Sequence, residues 1–516
     1  MTTPTATGKA KINLDDCLAC SGCITSAESV LVSSQGKEEV YKALNRPEFC
    51  RLLKEKEHLT DNIDDDKSYD FVLASVSPQT KASFAAKFDL SYSEASKRIE
   101  HFLSKILGVG AVFDVSYGRA LSLAETAKEF LTRFHQESNL TALPMITSAC
   151  PGWICYAEKI HPDLIPLIST TKSPQQMMGV LVKNYGSTIV SSNPLRSSTA
   201  SPDKIFHFTI MPCYDKKLEA SRSDFYNDLY RTRDVDCVIT SGELEEMMKD
   251  FNFSMKEDLK DLDLKGHDLK DFNLNGHDLK DFNMNGQDSK HQESKDHQPL
   301  QSTFPALDNF GNSSGGFLLY TLHALAKDIF GSDSSSYEIK KKSVRSSNSP
   351  DFQEYILWDC RQEREVVKFA SVYGFRNIQN IVRRLRKGMA GAADPRKAPV
   401  SEYAFIEIMA CPGGCINGGG QLKLVQSEED LSGPSKGKSR RDILAAGKAF
   451  MLKSEQIYGS HSSSPVSLQM QIIQDIRSRF RASCEESNPE IQDSLLRTKY
   501  NAIVNSTVSN SLINNW

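Results

Sequence analysis

The stretch YAFIEIMACPGGCINGGG, residues 403–420, decides how the rest of the chain is read. Its first eight residues form a short apolar run of strand character, broken only by Glu407. Such a run suits a strand buried in a sheet covered on both faces. The run then delivers Cys411 and Cys415 into a loop that also holds five glycines. Soft ligands placed where the backbone is least shielded have two ready explanations. One is a structural zinc or iron site closed by a further pair of cysteines. The other is a tight loop whose glycines clear space for something bulky.

Working outward, the same motif of a strand running into a cysteine recurs. LPMITS (143–148) leads to Cys150, and FHFTIMP (206–212) leads to Cys213. FVLASVS (71–77), AVFDVS (111–116), DCVIT (236–240) and EVVKFASVYG are further strands. Between them SYSEASKRIEHFLSKIL, ETAKEFLTRFHQ and FRNIQNIVRRLRKG carry helical periodicity, the last ending at Gly388. GNSSGGFLLYTLHALAKDIF is a turn feeding a helix. Ser173-Pro174-Gln175-Gln176 predicts a helix start: serine caps, proline suits the first helical position, and Gln176 can complete a capping box. That helix is expected to stop near Gly186. Strands alternating with helices imply an α/β fold with mostly parallel sheets flanked by helices. Residues 1–68 form an N-terminal cysteine-bearing segment, 69–249 a first α/β lobe and 306–470 a second, with a helix and tail over 471–516. Residues 258–287 hold three ten-residue units, DLKDLDLKGH, DLKDFNLNGH and DLKDFNMNGQ, too short for solenoid repeats. They place a polar, disordered insertion over 250–305.

Composition narrows the function. The 516-residue chain is 39% hydrophobic and 25% charged, with a formal charge of -4. Such a balance gives no electrostatic reason for a nucleic-acid partner. The basic run Arg383–Lys387 reads as a solvated helix face. No apolar run reaches the roughly 18 residues of a membrane span, and the N-terminus lacks a secretory core. The expected setting is cytoplasmic, with the nucleus as a further compartment. In a reducing compartment disulfides explain little of the twelve cysteines.

Cys17, Cys20 and Cys23 form C-x-x-C-x-x-C, a spacing that lets thiolates converge on one inorganic cluster. No fourth cysteine follows nearby; Cys50 is the remaining internal candidate, with His58, a water or a three-cysteine site as alternatives. Cys150, Cys213, Cys411 and Cys415 form a second set at strand exits, where parallel α/β sheets gather ligands. Their flanking prolines stiffen the exits and the glycines admit close backbone approach. Cys155, Cys237, Cys360 and Cys484 read as ordinary buried or surface residues.

The phrases INLDDCLACSGCITSAE, TSACPGWICYAEK, KSPQQMMG, MPCYDKKLEA, YGFRNIQN and EIMACPGGCINGGGQ together carry a resemblance. The chain resembles the iron-only hydrogenases, and more closely their eukaryotic relatives, the hydrogenase-like factors of cytosolic iron–sulfur protein assembly. The resemblance implies an iron-only hydrogenase-like core of two lobes and a small ferredoxin-like N-terminal segment. It also implies two [4Fe–4S] clusters, one on Cys17, Cys20 and Cys23 plus a fourth ligand, the other on Cys150, Cys213, Cys411 and Cys415. Family members usually draw the first ligand from a further N-terminal segment, and residues 1–16 hold no cysteine. Hydrogenases place a proton-relaying cysteine where this chain has Ala149, and a methyl group cannot relay a proton. Glu219 resembles another relay acid, here expected to be structural.

The implied role is non-enzymatic. Clusters would be received from a P-loop NTPase scaffold and passed to a targeting complex that includes a WD40-repeat protein, and to apo iron–sulfur proteins. SLINNW, ending at Trp516, resembles peptides by which clients and adaptors dock on that complex. The alternatives are a hydrogenase-like redox enzyme and a structural protein of the prelamin-recognition type.

Overall fold

The computed structural model describes residues 26–45, 69–136, 143–190, 200–257, 311–331, 333–344, 351–391, 401–424, 440–460, 466–483 and 495–502. Cys17, Cys20, Cys23, Cys50, His58, Cys484, the 258–287 repeats and Trp516 lie outside the described residues.

In chain order the strands are Phe71–Val76 (β1), Ala111–Asp114 (β2), Met145–Thr147 (β3), Ile205–Met211 (β4), Tyr226–Asn227 (β5), Thr232–Arg233 (β6), Cys237–Thr240 (β7), Tyr337–Ser343 (β8), Phe352–Asp359 (β9), Arg364–Tyr373 (β10) and Phe405–Met409 (β11). The first sheet runs β2-β1-β4-β7 and is parallel throughout. Val76 is level with both Asp114 and Ile210, so the carboxyl ends of these strands lie along one side. The second sheet runs β3-β11-β10-β9-β8. Here β3, β11 and β10 are parallel, while β10, β9 and β8 form an antiparallel meander.

Two expectations change. The second sheet is mixed rather than mostly parallel, because β8 and β9 return by short connections instead of crossover helices. Moreover β3, which precedes the second lobe by more than 150 residues, pairs with β11, Ile146 beside Ile406. Sheet membership thus departs from chain order, and the chain visits the second sheet before completing the first.

The helix Ser116–His135 joins the lobes. It packs on Pro174–Val190, Phe317–Phe330 and Val466–Ser483. Its first half is buried nearly all round, from Gly118 to Ala127. The core of the second lobe centres on Phe130, Phe369 and Phe405, whose rings meet within 5.5 Å in edge-to-face and stacked pairs. The first lobe has its own core, with Ala74, Phe84, Ile99, Phe208 and Ile239 fully buried. Val40 and Tyr41, from the helix Lys37–Leu44, belong to this core, as does Met255. Phe251 lies edge-on to Tyr41 and Phe102. The first lobe therefore extends on both sides of the 69–249 range, because aromatic side chains beyond each boundary fill its surface.

Local signals explain most termini. Ser91 and Glu94 form a reciprocal capping box at the helix Tyr92–His101, as do Thr240 and Glu243 at Ser241–Asp250. The helix Pro174–Val190 starts where expected but passes Gly186. Ser173 Oγ accepts from Gln176 N at 3.5 Å, as expected of the cap, but the return half of the box is replaced: the Gln176 side chain donates to Glu219 at 3.4 Å.

Candidate metal centre

The three strand exits converge. Cys150 follows β3, Cys213 follows β4 and Cys411 follows β11, while Cys415 lies in the same loop as Cys411. All four line one cleft between the lobes, with about 740 Å³ of free space including solvent at its mouth. Cys150 and Cys411 are buried, and Cys213 and Cys415 partly so. Cys155 falls instead in a neighbouring cavity of about 410 Å³ with Glu219 and Arg222. Cys237 is buried in β7 and Cys360 is exposed.

Each loop is fixed by groups other than the cysteines. Ser148 Oγ donates to Ile408 O at 2.6 Å and accepts from Cys150 N at 3.1 Å, stitching the β3 exit to β11. Cys150 then precedes the helix Pro151–Ile160, with Pro151 at its first position. Cys415 N donates to Ser314 Oγ at 3.2 Å. Gly413 and Gly414 have φ of +76° and +83°, values that favour glycine.

Two further glycines, Gly418 and Gly420, admit close approach between parts of the protein itself. A Cβ on Gly418 would sit 2.2 Å from Pro212 O, and one on Gly420 would sit 2.6 Å from Thr240 Cγ2. Gly420 N donates to Pro212 O at 3.0 Å, and Gly242 N donates to Gly420 O at 3.1 Å. The close approach is between the backbones of the two lobes. The glycine loop locks onto the exit that carries Cys213, and so sets the spacing of the sulfurs.

Burial pushes the Cys150, Cys213 and Cys415 thiols up, Cys415 to about 12. Asp215 adds to this at Cys150 and Cys213. The neighbouring thiols add further: Cys411 and Cys150 act on Cys213, and Cys150 acts on Cys415. Four thiolates cannot coexist here without a cation to compensate them. Among the described residues no three His, Cys, Asp or Glu side chains converge on a single-ion point. Lys216 and Arg119 also line the cleft and place positive charge where an anionic iron–sulfur thiolate complex would sit.

Ala149 lines the cleft and offers only a methyl group. Glu219 is fully engaged: it accepts from Ser173 Oγ at 2.5 Å and pairs with Lys216 Nζ at 2.8 Å. Ser148, Ser314 and Arg119 carry no signal in the linear sequence. Lys216, inside MPCYDKK, could have been singled out as a cation three residues past a ligand candidate.

Residues 70–419 match the family model described as "Iron only hydrogenase large subunit, C-terminal domain". The chain belongs to this family. Among its relatives, "Cytosolic iron-sulfur assembly component 3" of Rattus norvegicus is 39% identical over 422 residues, 81% of this chain and 74% of that protein. "Cytosolic Fe-S cluster assembly factor narfl" of Danio rerio is 38% identical over 491 residues, 94% of this chain and 95% of its own. The fold is similar to that of apo [FeFe]-hydrogenase HydA1 from Chlamydomonas reinhardtii, with a TM-score of 0.57, 22% identity, and coverage of 86% of this chain and 97% of that one. The hydrogenase likeness is one of architecture. By sequence this member of the hydrogenase family is similar to cytosolic iron–sulfur assembly factors over most of its length.

Proposed function

We propose that Cys150, Cys213, Cys411 and Cys415 hold one [4Fe–4S] cluster in the interlobe cleft, and that Cys17, Cys20 and Cys23 hold a second. The meeting of four cysteines from three strand exits at one cleft carries the first assignment. The C-x-x-C-x-x-C spacing carries the second, with its fourth ligand, Cys50 included, left to experiment. In this reading the buried cluster is structural. The N-terminal cluster is the exchanging one, loaded from a P-loop NTPase scaffold and passed toward a targeting complex with a WD40-repeat protein and toward cytosolic and nuclear apo-proteins. Trp516 is the docking residue for that complex.

The chain's own residues have distinct tasks. The cysteines bind, and Ser148, Ser314 and Gly420 hold the three loops in register. Lys216 and Arg119 offset the negative charge of a thiolate-ligated cluster. A bound cluster would supply electron-accepting iron and sulfide. Cys150, Cys213 and Cys415, whose thiols burial keeps protonated, would give up their protons on binding it.

Anaerobic iron and sulfide quantification with electron paramagnetic resonance tests the assignment. Wild type is expected to hold about eight irons per chain, and Cys213→Ala and Cys20→Ala about four each, with different spectra lost. Full iron in Cys213→Ala would remove the interlobe site.

A further inference from the structure

A second surface is built around the turn at Ala220–Arg222, which follows the helix Asp215–Ala220 after Cys213. Three elements are fastened to it. The β5–β6 hairpin is held by Arg233 Nη1, which donates to Ala220 O at 3.3 Å and Arg222 O at 3.1 Å. The N-terminal helices are held by Gln35 Nε2, which donates to Ser221 Oγ at 2.7 Å and Lys217 O at 2.8 Å. The segment 495–502 is held by Arg222, which lies over the Tyr500 ring at 5.9 Å. Arg222 also makes two 2.8 Å bonds to Glu158, and Asn501 N donates to Glu158 at 3.0 Å.

The hairpin tip exposes apolar surface on a rigid turn. Leu229 is 81% exposed, and Tyr226 and Tyr230 are each 40% exposed. The tip is not loose: Asn227 Oδ1 accepts from Leu229 N at 3.0 Å and Tyr230 N at 3.2 Å. Arg233 lies over the Tyr226 ring at 5.5 Å. Tyrosine and arginine are enriched at interface centres, and here they flank a protruding leucine. On the neighbouring helix Ser26–Ser33, which begins three residues after Cys23, Val30 is 67% exposed. That helix is tied to Pro151–Ile160 by Glu28 and Lys159 at 2.8 Å.

Where the chain leaves this turn identifies the occupant. From Tyr500 to Trp516 the sequence has no charged residue, and it carries Ile503, Val504, Val508, Leu512 and Ile513. The 14 residues after Ala502 reach at most roughly 50 Å. A protein that captures Trp516 is therefore tethered within reach of the hairpin and of the helix that follows Cys23.

We infer that the tip formed by Tyr226, Leu229 and Tyr230 is a second docking contact for the same protein that takes the Trp516 segment. The partner bears an apolar pocket beside its peptide site. This inference rests on the tail-docking reading. The tail supplies capture and the hairpin supplies orientation, which turns the partner toward the N-terminal cysteines. Two linked contacts bind more tightly than either alone through effective concentration.

The test uses the full chain, the purified targeting complex containing the WD40-repeat protein, and a synthetic peptide of residues 505–516. Leu229→Ser/Tyr230→Ser in the full chain is expected to weaken binding by roughly thirty-fold. Iron content, melting temperature and peptide affinity should stay unchanged. Because the tip is solvent-exposed, the variant keeps its fold, which the melting temperature verifies. The inference is overturned if the variant binds like wild type, or if wild type binds no tighter than the peptide. It is also overturned if the substitution instead abolishes self-association of the chain, since a second copy would then be the occupant. Failure of the peptide to bind, with the variant still weakened, would remove the tail reading and the shared-partner tether while leaving the hairpin as an independent contact.

Discussion

Adding one methyl group to Gly418 should open the interlobe seam. Gly418 has φ -62° and ψ 148°, a backbone conformation that alanine adopts freely, so the expected penalty is steric. The new Cβ would lie 2.2 Å from Pro212 O and 3.0 Å from its carbon, both backbone atoms that cannot rotate away. Relief to an ordinary contact requires a retreat of roughly 1 Å between the glycine loop and the β4 exit. Overpacking of this kind costs about 1–3 kcal/mol. The displaced residue is next to Cys213, so the same movement spreads the four sulfurs. Gly447 provides the control: it lies in the exposed part of the helix Arg440–Ser460, with nothing within 4 Å of an added Cβ. There alanine should stabilise by about 0.5–1 kcal/mol through helix propensity. Thermal unfolding and iron-to-protein ratio on Gly418→Ala, Gly447→Ala and wild type decide the matter. The first variant should melt lower and retain less iron, and the second should melt no lower and retain all of it. If Gly418→Ala matched wild type in both readouts, the claim that glycine is needed for close approach of the lobes would be wrong.

Three other outcomes follow from polar groups held by specific partners. Ser148→Ala removes the bond to Ile408 O and the acceptor for Cys150 N; a loss of about 1–3 kcal/mol and faster iron release to a chelator are expected. Glu125 is fully buried and pairs with Arg477 at 2.6 Å and Arg497 at 3.3 Å. Glu125→Ala should cost about 3 kcal/mol, the low end for a broken buried pair because both arginines keep some contact with water, and limited proteolysis should then cut residues 466–502 more readily. His207 is buried, and burial holds its pKa down to about 3, against about 6.5 when unfolded. Nδ1 faces Asp234 O and so carries the proton, leaving Nε2 to accept from Ser75 Oγ at 2.8 Å. The stabilising contribution is complete above pH 6.5 and is lost as pH falls toward 3. About 2 kcal/mol should disappear between pH 7 and pH 5, and denaturant titrations of His207→Asn should show a flatter slope over that interval.

The strands that end in cysteines were legible because each is a short apolar run, buried along its length, that stops at a proline or cysteine. β8 was not, since YEIKKKS is an edge strand with much of its surface in water and three consecutive lysines. Such lysines blunt an open sheet edge and carry no strand signal of their own. Its partner FQEYILWD reads as a strand only beside β10. The helix Pro78–Phe88 was missed for the opposite reason. Pro78 and all residues from Thr80 to Ala86 are buried, so the helix has no polar face and no amphipathic period. Ser77-Pro78 was the available clue, with Ser77 capping Thr80 N just as Ser173-Pro174 announces its helix. At the cleft, the cysteines were readable from their contexts, but Arg119 was not. It reaches the cavity from the first turn of a helix and is held at 2.6 Å by Tyr458, more than 300 residues away.

The way the loops are held bears on whether this site needs a metal in order to form. In a zinc finger the metal supplies the folding energy, because nothing else positions the ligands. Here the cysteine exits are set by two sheets, whose larger core draws residues from both, and by hydrogen bonds at Ser148, Ser314, Gly242 and Gly420 that involve no metal. Burial keeps the Cys150, Cys213 and Cys415 thiols protonated, so this scaffold need not carry several unpaired charges before loading. The geometry of the cleft is thus built from apolar packing and neutral polar contacts. A chain arranged in this way can fold first, and a cluster bound at the proposed interlobe site would follow folding rather than drive it.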